Sequence, residues 1–122
     1  MVKLRALMER TSGSPEVTIG LIDGPVVTQH PDLAGEHRGT ACAQASSTAC
    51  LHGTFVAGIL SAKRNSPAPG ICPNCTLLVR PVFAEVTSGR NPMPSAMPNA
   101  LAAAIIECIE GGARRVRLFC IH

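Results

Sequence analysis

Val17-Thr18-Ile19-Gly20-Leu21-Ile22-Asp23-Gly24 and, 29 positions on from its acid, His52-Gly53-Thr54-Phe55-Val56-Ala57-Gly58-Ile59 decide how this chain is read. The first stretch is a short β-prone apolar run that ends on a carboxylate. The second opens on a histidine and continues at helical spacing. Phe55, Val56, Ile59 and Leu60 share one face, while Gly53, Ala57 and Gly58 keep the helix slim against a neighbour. A helix from about Gly53 to Lys63 is predicted. Taken singly, Asp23 caps a turn and His52 merely begins a helix. Taken together, an acid leaving a strand and a histidine opening a helix form the arrangement that orients an imidazole for general-base work. Asp23 and His52 are therefore the candidate catalytic residues.

Outward from these stretches, strands alternate with helices. Residues 1–16 end in Thr11-Ser12-Gly13-Ser14-Pro15 and read as a turn-rich leader. Residues 24–51 are dense in Gly, Pro, Thr and Ser without sustained periodicity, so a long surface loop is expected there, of a kind usually tied to function. Asn65-Ser66-Pro67-Ala68-Pro69-Gly70 breaks the His52 helix, and Thr76-Leu77-Leu78-Val79-Arg80-Pro81-Val82 reads as a second strand. A second loop over 87–98, a helix from Pro98 to Glu110 closed by Gly111-Gly112, and a last apolar run from Val116 to Ile121 complete the pattern. The fold class is α/β, a parallel sheet with flanking helices, and in such sheets catalytic groups sit at the carboxyl ends of strands. Asp23 stands at such an end.

The 122 residues suffice for one domain, and 46% hydrophobic content with a formal net charge of +3 describes a globular chain. The basic residues are scattered apart from Arg114, Arg115 and Arg117, which argues against a nucleic-acid partner. There is no run of 18 apolar residues and no secretory pattern at the start, so no membrane association and a cytoplasmic setting are expected. The cysteines at 42, 50, 72, 75, 108 and 120 are accordingly expected to be reduced thiols, with Cys50 passively buried. Cys72-Pro73-Asn74-Cys75 reads as a structural loop. Zinc would need two further ligands, for which Cys42 and Cys50 are the candidates, and a redox pair would precede a helix rather than a strand. No cofactor or metal is assigned. His30 and His37 read as solvated or turn-forming side chains.

The blocks resemble the N-terminal half of a subtilisin-like serine protease, over about Val17 to Val116. Leu21-Ile22-Asp23-Gly24 resembles the family's aspartate block. Gly24-Pro25-Val26 is similar to the variant in proteases that trim ribosomally made peptides, such as the cyanobactin-processing type. His30-Pro31-Asp32-Leu33 follows at the usual interval, and His52 to Ile59 resembles the histidine block, with Phe55 where a second histidine is common. Gly70-Ile71-Cys72-Pro73 and Leu77 to Val82 resemble the following loop and strand. The resemblance implies a serine endopeptidase acting on a peptide by acyl-enzyme chemistry, with Asp23 orienting and His52 serving as general base.

The nucleophile's block and its oxyanion asparagine have no counterpart here, and Ser46, Ser61 or Ser88 would have to build a different site. Residues 117–122 depart from the family pattern, with Arg117 falling in a strand expected to be buried on both faces. The expectation is a single partial domain over 1–122, inactive alone, awaiting a complementary Ser-bearing segment. Its rival is a catalytically dead remnant that binds partners, or itself, through an exposed sheet edge. Burying one Leu or Val contributes about 1.5 to 3 kcal/mol against a domain stability of roughly 5 to 15 kcal/mol, so leaving several uncovered makes the isolated chain marginal.

Overall fold

The computed structural model describes residues 3–83, 85 and 97–118. Its elements are α1 (Leu4–Arg10), β1 (Thr18–Asp23), β2 (His37–Gly39), α2 (Thr48–Ser61), β3 (Thr76–Pro81), α3 (Pro98–Glu110) and β4 (Ala113–Leu118). The four strands form one sheet in the order β2-β3-β1-β4, and every pairing is parallel. The α/β architecture expected from the sequence is therefore present. Parallel neighbours require a crossover, and α2 and α3 lie within those that lead into β3 and β4.

β1 is buried at all six positions because it has a strand on each side and a helix on each face. Its alternation divides the core. Ile19 and Leu21 join Leu77, Val79, Val56, Ala57 and Leu60 on the α2 face. Ile22 packs with Ala104 and Cys108 on the α3 face. Gly20 also looks toward α3, where a Cβ would stand 2.8 Å from the Cys108 sulfur, so the missing side chain lets that helix approach.

Several boundaries differ from the expectations. α2 begins at Thr48 rather than Gly53, because the Ser47 hydroxyl accepts from the Cys50 amide and starts the helix there. The expected loop over 24–51 contains β2, which pairs with β3. The leader carries α1, a helix with no buried residue, held by the Arg64 guanidinium, which donates to the Met8 and Thr11 carbonyls. A seven-residue helix is too short to persist alone, so local sequence could not announce it.

On α2 the inward stripe is Gly53, Val56, Ala57 and Leu60, whereas Phe55 and Ile59 face outward at 68% and 42% exposure. The Phe55–Ile59 side of the expected apolar face is thus corrected. So is Gly58, beside whose α-carbon there is open space rather than a packed neighbour. β4 runs over Ala113–Leu118, earlier than the expected run, and lies at the edge of the sheet. The remainder of that run, 119–122, and the expected loop positions 87–96 fall outside the described residues.

Candidate active site

Strand parity decides where Asp23 points. It continues the series of Ile19 and Leu21, so its side chain leaves the sheet on the α2 face, at the carboxyl end of the central strand. The residue is fully buried. Its Oδ1 accepts two hydrogen bonds, from the Gly24 amide at 2.6 Å and from Nδ1 of His52 at 2.8 Å. Its Oδ2 is buried with no partner among the described residues.

His52 lies in the second turn of α2, with a side chain 31% exposed. Two contacts seat that helix. Gly24 has no Cβ to collide with the Ala49 carbonyl, and Gly53 has none to collide with the Gly24 and Pro25 carbonyls. The Val27 amide donates to the Thr54 hydroxyl at 2.9 Å, tying the segment after Asp23 to the residue two beyond His52.

A further polar cluster fixes the amino end of α2. Glu85, from the segment after β3, accepts from the Ala43 amide at 3.0 Å, the Gln44 amide at 2.7 Å and the Ser47 hydroxyl at 3.3 Å. The two amides hold its carboxyl below the usual carboxylate range. The sequence reading missed Ser47 and Glu85. Ser47-Thr48 ahead of an apolar helix was a readable cap signal, whereas nothing local marks Glu85.

Cys42 and Cys50 form a disulfide, with α-carbons 5.9 Å apart. This corrects the expectation of reduced thiols and of a passively buried Cys50. The Cys42 amide donates to the Val26 carbonyl at 3.0 Å, which folds the 41–47 segment back onto the start of α2 and brings the two residues within disulfide range. Cys72, Cys75 and Cys108 are free thiols. Among the described residues the one set of three close donors is Cys42, Cys50 and Glu85, so Cys72 and Cys75 do not converge with Cys42 and Cys50 into a four-thiol site.

His30 forms a turn as expected, its Nδ1 accepting from the Asp32 amide at 3.0 Å. His37 is half-buried rather than fully solvated. It lies in β2 with Nε2 buried and no partner among the described residues, and burial pushes its pKa down. Of the alternative serines, Ser46 is exposed ahead of the helix and Ser61 ends α2, nine residues beyond His52, or roughly 13 Å along the axis at the helical rise. Ser88 lies outside the described residues.

Along the helix that carries His52, α2 presents Leu51, Phe55 and Ile59 to an open groove of about 730 Å³ that Leu4, Met8 and Ile71 also line. The geometry is that of a carboxylate accepting from one imidazole nitrogen and so orienting the ring. No helix among the described residues is long and apolar enough to cross a membrane.

Residues 14–120 match the model of the subtilase family. Among solved structures, the prenylagaramide maturation protease PagA is similar with a TM-score of 0.75 and 27% identity, over 97% of this chain and 39% of that one. The protease domain of PatA shares the fold with a TM-score of 0.79 at 24% identity, over 93% of this chain and 41% of that one. The PatG macrocyclase in complex with peptide shares it at 0.67 and 18% identity, over 99% and 48%. The chain thus spans 39–48% of the length of these structures. No curated protein matches it.

Proposed function

Because the chain belongs to the subtilase family, we propose that it is the Asp- and His-bearing part of a subtilisin-like serine endopeptidase, one partial peptidase domain whose nucleophile comes from a complementary segment. The observation that carries this reading is the 2.8 Å hydrogen bond from Nδ1 of His52 to the buried Oδ1 of Asp23. In the assembled site, Nε2 of His52 takes the proton of the attacking serine hydroxyl. Asp23 fixes the tautomer and stabilises the imidazolium, and the proton passes to the leaving amine as the acyl-enzyme forms.

Two features support an incomplete site. Oδ2 of Asp23, buried with no partner among the described residues, calls for a further donor, since a buried acceptor without one costs about 1–3 kcal/mol. The outward stripe of Leu51, Phe55 and Ile59 is 59%, 68% and 42% exposed along the helix that carries His52, a surface that a covering segment would bury. The substrate is a peptide. PagA is named as a maturation protease, and a precursor peptide is the corresponding substrate class here. We propose a cytoplasmic setting, in which the thiols of Cys72, Cys75 and Cys108 stay reduced.

The test is labelling with a serine-directed fluorophosphonate. The chain alone is expected to remain unlabelled and without peptidase activity. Addition of a separately produced Ser-bearing remainder of the domain is expected to restore both, and His52→Ala to abolish the gain. Stoichiometric labelling of the chain alone would overturn the proposal. The same exposed stripe and the β2 and β4 edges also favour a second reading, a binding module without catalysis or a self-associating one. Under that reading Asp23→Asn and His52→Ala would leave partner binding intact and no complement would restore turnover.

A further inference from the structure

The Cys42–Cys50 disulfide joins the two segments that carry the Asp23–His52 pair. On one side, Ala41 bridges Val26 and the Cys42 amide donates to the Val26 carbonyl, three residues beyond Asp23. On the other, Cys50 lies in the first turn of α2, two residues ahead of His52. The bond therefore closes a covalent loop across the exit of β1 and the start of α2, where the two glycines bring backbone against backbone. Cys42 is partly exposed and Cys50 is fully buried.

We propose that Cys42–Cys50 is a thiol–disulfide exchange site, opened by a dithiol reductant, that controls how firmly α2 holds His52 against Asp23. The consequence for turnover rests on the protease reading above. An incoming thiolate attacks the accessible Sγ of Cys42, forming a mixed disulfide as the Cys42–Cys50 bond breaks. Cys50 leaves as a thiolate and takes up a proton. The reductant's second thiol then attacks its own sulfur in the mixed disulfide, releasing Cys42 as a thiol and leaving the reductant as a disulfide, two electrons having passed to the chain.

The leaving side is favoured because Cys50 is the third residue of α2, where the positive end of the helix stabilises a thiolate. Opposing it, the Glu85 carboxylate lies within 4.8 Å of both sulfurs and promotes protonation of the thiols once they form. With the bond open, the 41–47 segment keeps its amide contacts to Glu85 but loses its covalent hold on the helix that bears His52.

Trypsin releases residues 39–63 as one segment carrying both cysteines, which makes differential alkylation a direct assay. In the purified, air-oxidised chain this segment is expected to take no alkyl group, and to take two after dithiothreitol. Reduction should lower Tm by roughly 5–10 °C, as expected for opening a short loop in a domain of this size. It should also shift or broaden the His52 imidazole resonance, assigned with His52→Gln, and reoxidation should restore both. Cys42→Ser should show the reduced behaviour with or without dithiothreitol, while Cys72→Ser should respond as the parent does. Alkylation of Cys42 without reductant, or a reduced chain with unchanged Tm and His52 resonance, would overturn the proposal. Neither readout uses peptidase activity, so failure of the protease reading would leave this test interpretable.

Discussion

The α-carbon of Gly24 packs against the Ala49 carbonyl with no room for a methyl group between them. Gly53 makes the reciprocal approach to the Gly24 and Pro25 carbonyls. Through this pair of backbone contacts the exit of β1 and the start of α2 come close enough for the 2.8 Å bond between His52 and Asp23. The clashing partners are backbone atoms on both sides, so neither can swing away to admit a side chain.

Gly53→Ala is therefore expected to destabilise the chain by about 1–3 kcal/mol or more, through overpacking. Gly58→Ala, five residues along the same helix but facing open space, is expected to stabilise it by up to about 1 kcal/mol through helix propensity. Urea denaturation of the two variants gives the contrast, and equal effects would deny that close approach is what Gly53 supplies.

In the assembled enzyme Asp23→Asn keeps the shape of the site but presents an amide to Nδ1 of His52. The expected outcome is a fall in kcat of about 10⁴ with little change in KM, the size of effect produced when a triad imidazole is held in the wrong tautomer. Steady-state kinetics on the complemented protein check this.

Ser47 is engaged twice, accepting from the Cys50 amide at the start of α2 and donating to Glu85. Ser47→Ala removes both contacts and should cost about 0.5–2 kcal/mol, the range for loss of a helix cap. Amide exchange should quicken in the first turn of α2, reporting fraying there rather than elsewhere.

Burial, reinforced by the neighbouring Cys75, pushes the Cys72 thiol up to about 11 from an ordinary value of 9.0. The folded chain thus retains a proton that the unfolded chain releases. Stability tied to this group is complete below about pH 9 and is lost as pH rises toward 11. Thermal melts from pH 8 to 11 should fall more steeply for the parent than for Cys72→Ser. Cys72→Ser combined with Cys75→Ser should leave metal content at background, whereas release of one zinc per chain with unfolding would restore the metal reading.

Much of the fold is legible locally. The apolar run over 17–22, the second over 76–82 and the helix from Pro98 to Glu110 are marked by composition, periodicity and flanking breakers, and β1, β3 and α3 lie within one residue of them. An acid at the end of the first strand and a histidine in a small-residue segment were likewise visible as residues. What local pattern could not supply is everything settled by distant partners. α1 depends on Arg64, β2 on its pairing with β3, and the outward turn of Phe55 and Ile59 on which side of α2 meets the sheet. The disulfide depends on the 41–47 segment folding back to Val26. Sequence by itself determined the α/β class and the two residues of the candidate pair, because alternation and helical period are properties of neighbours in the chain. Only the tertiary structure decided that Asp23 and His52 meet, because their contact is made across 29 positions by parallel strand pairing and by backbone approach at Gly24 and Gly53, whose energy is gained only once the chain has closed.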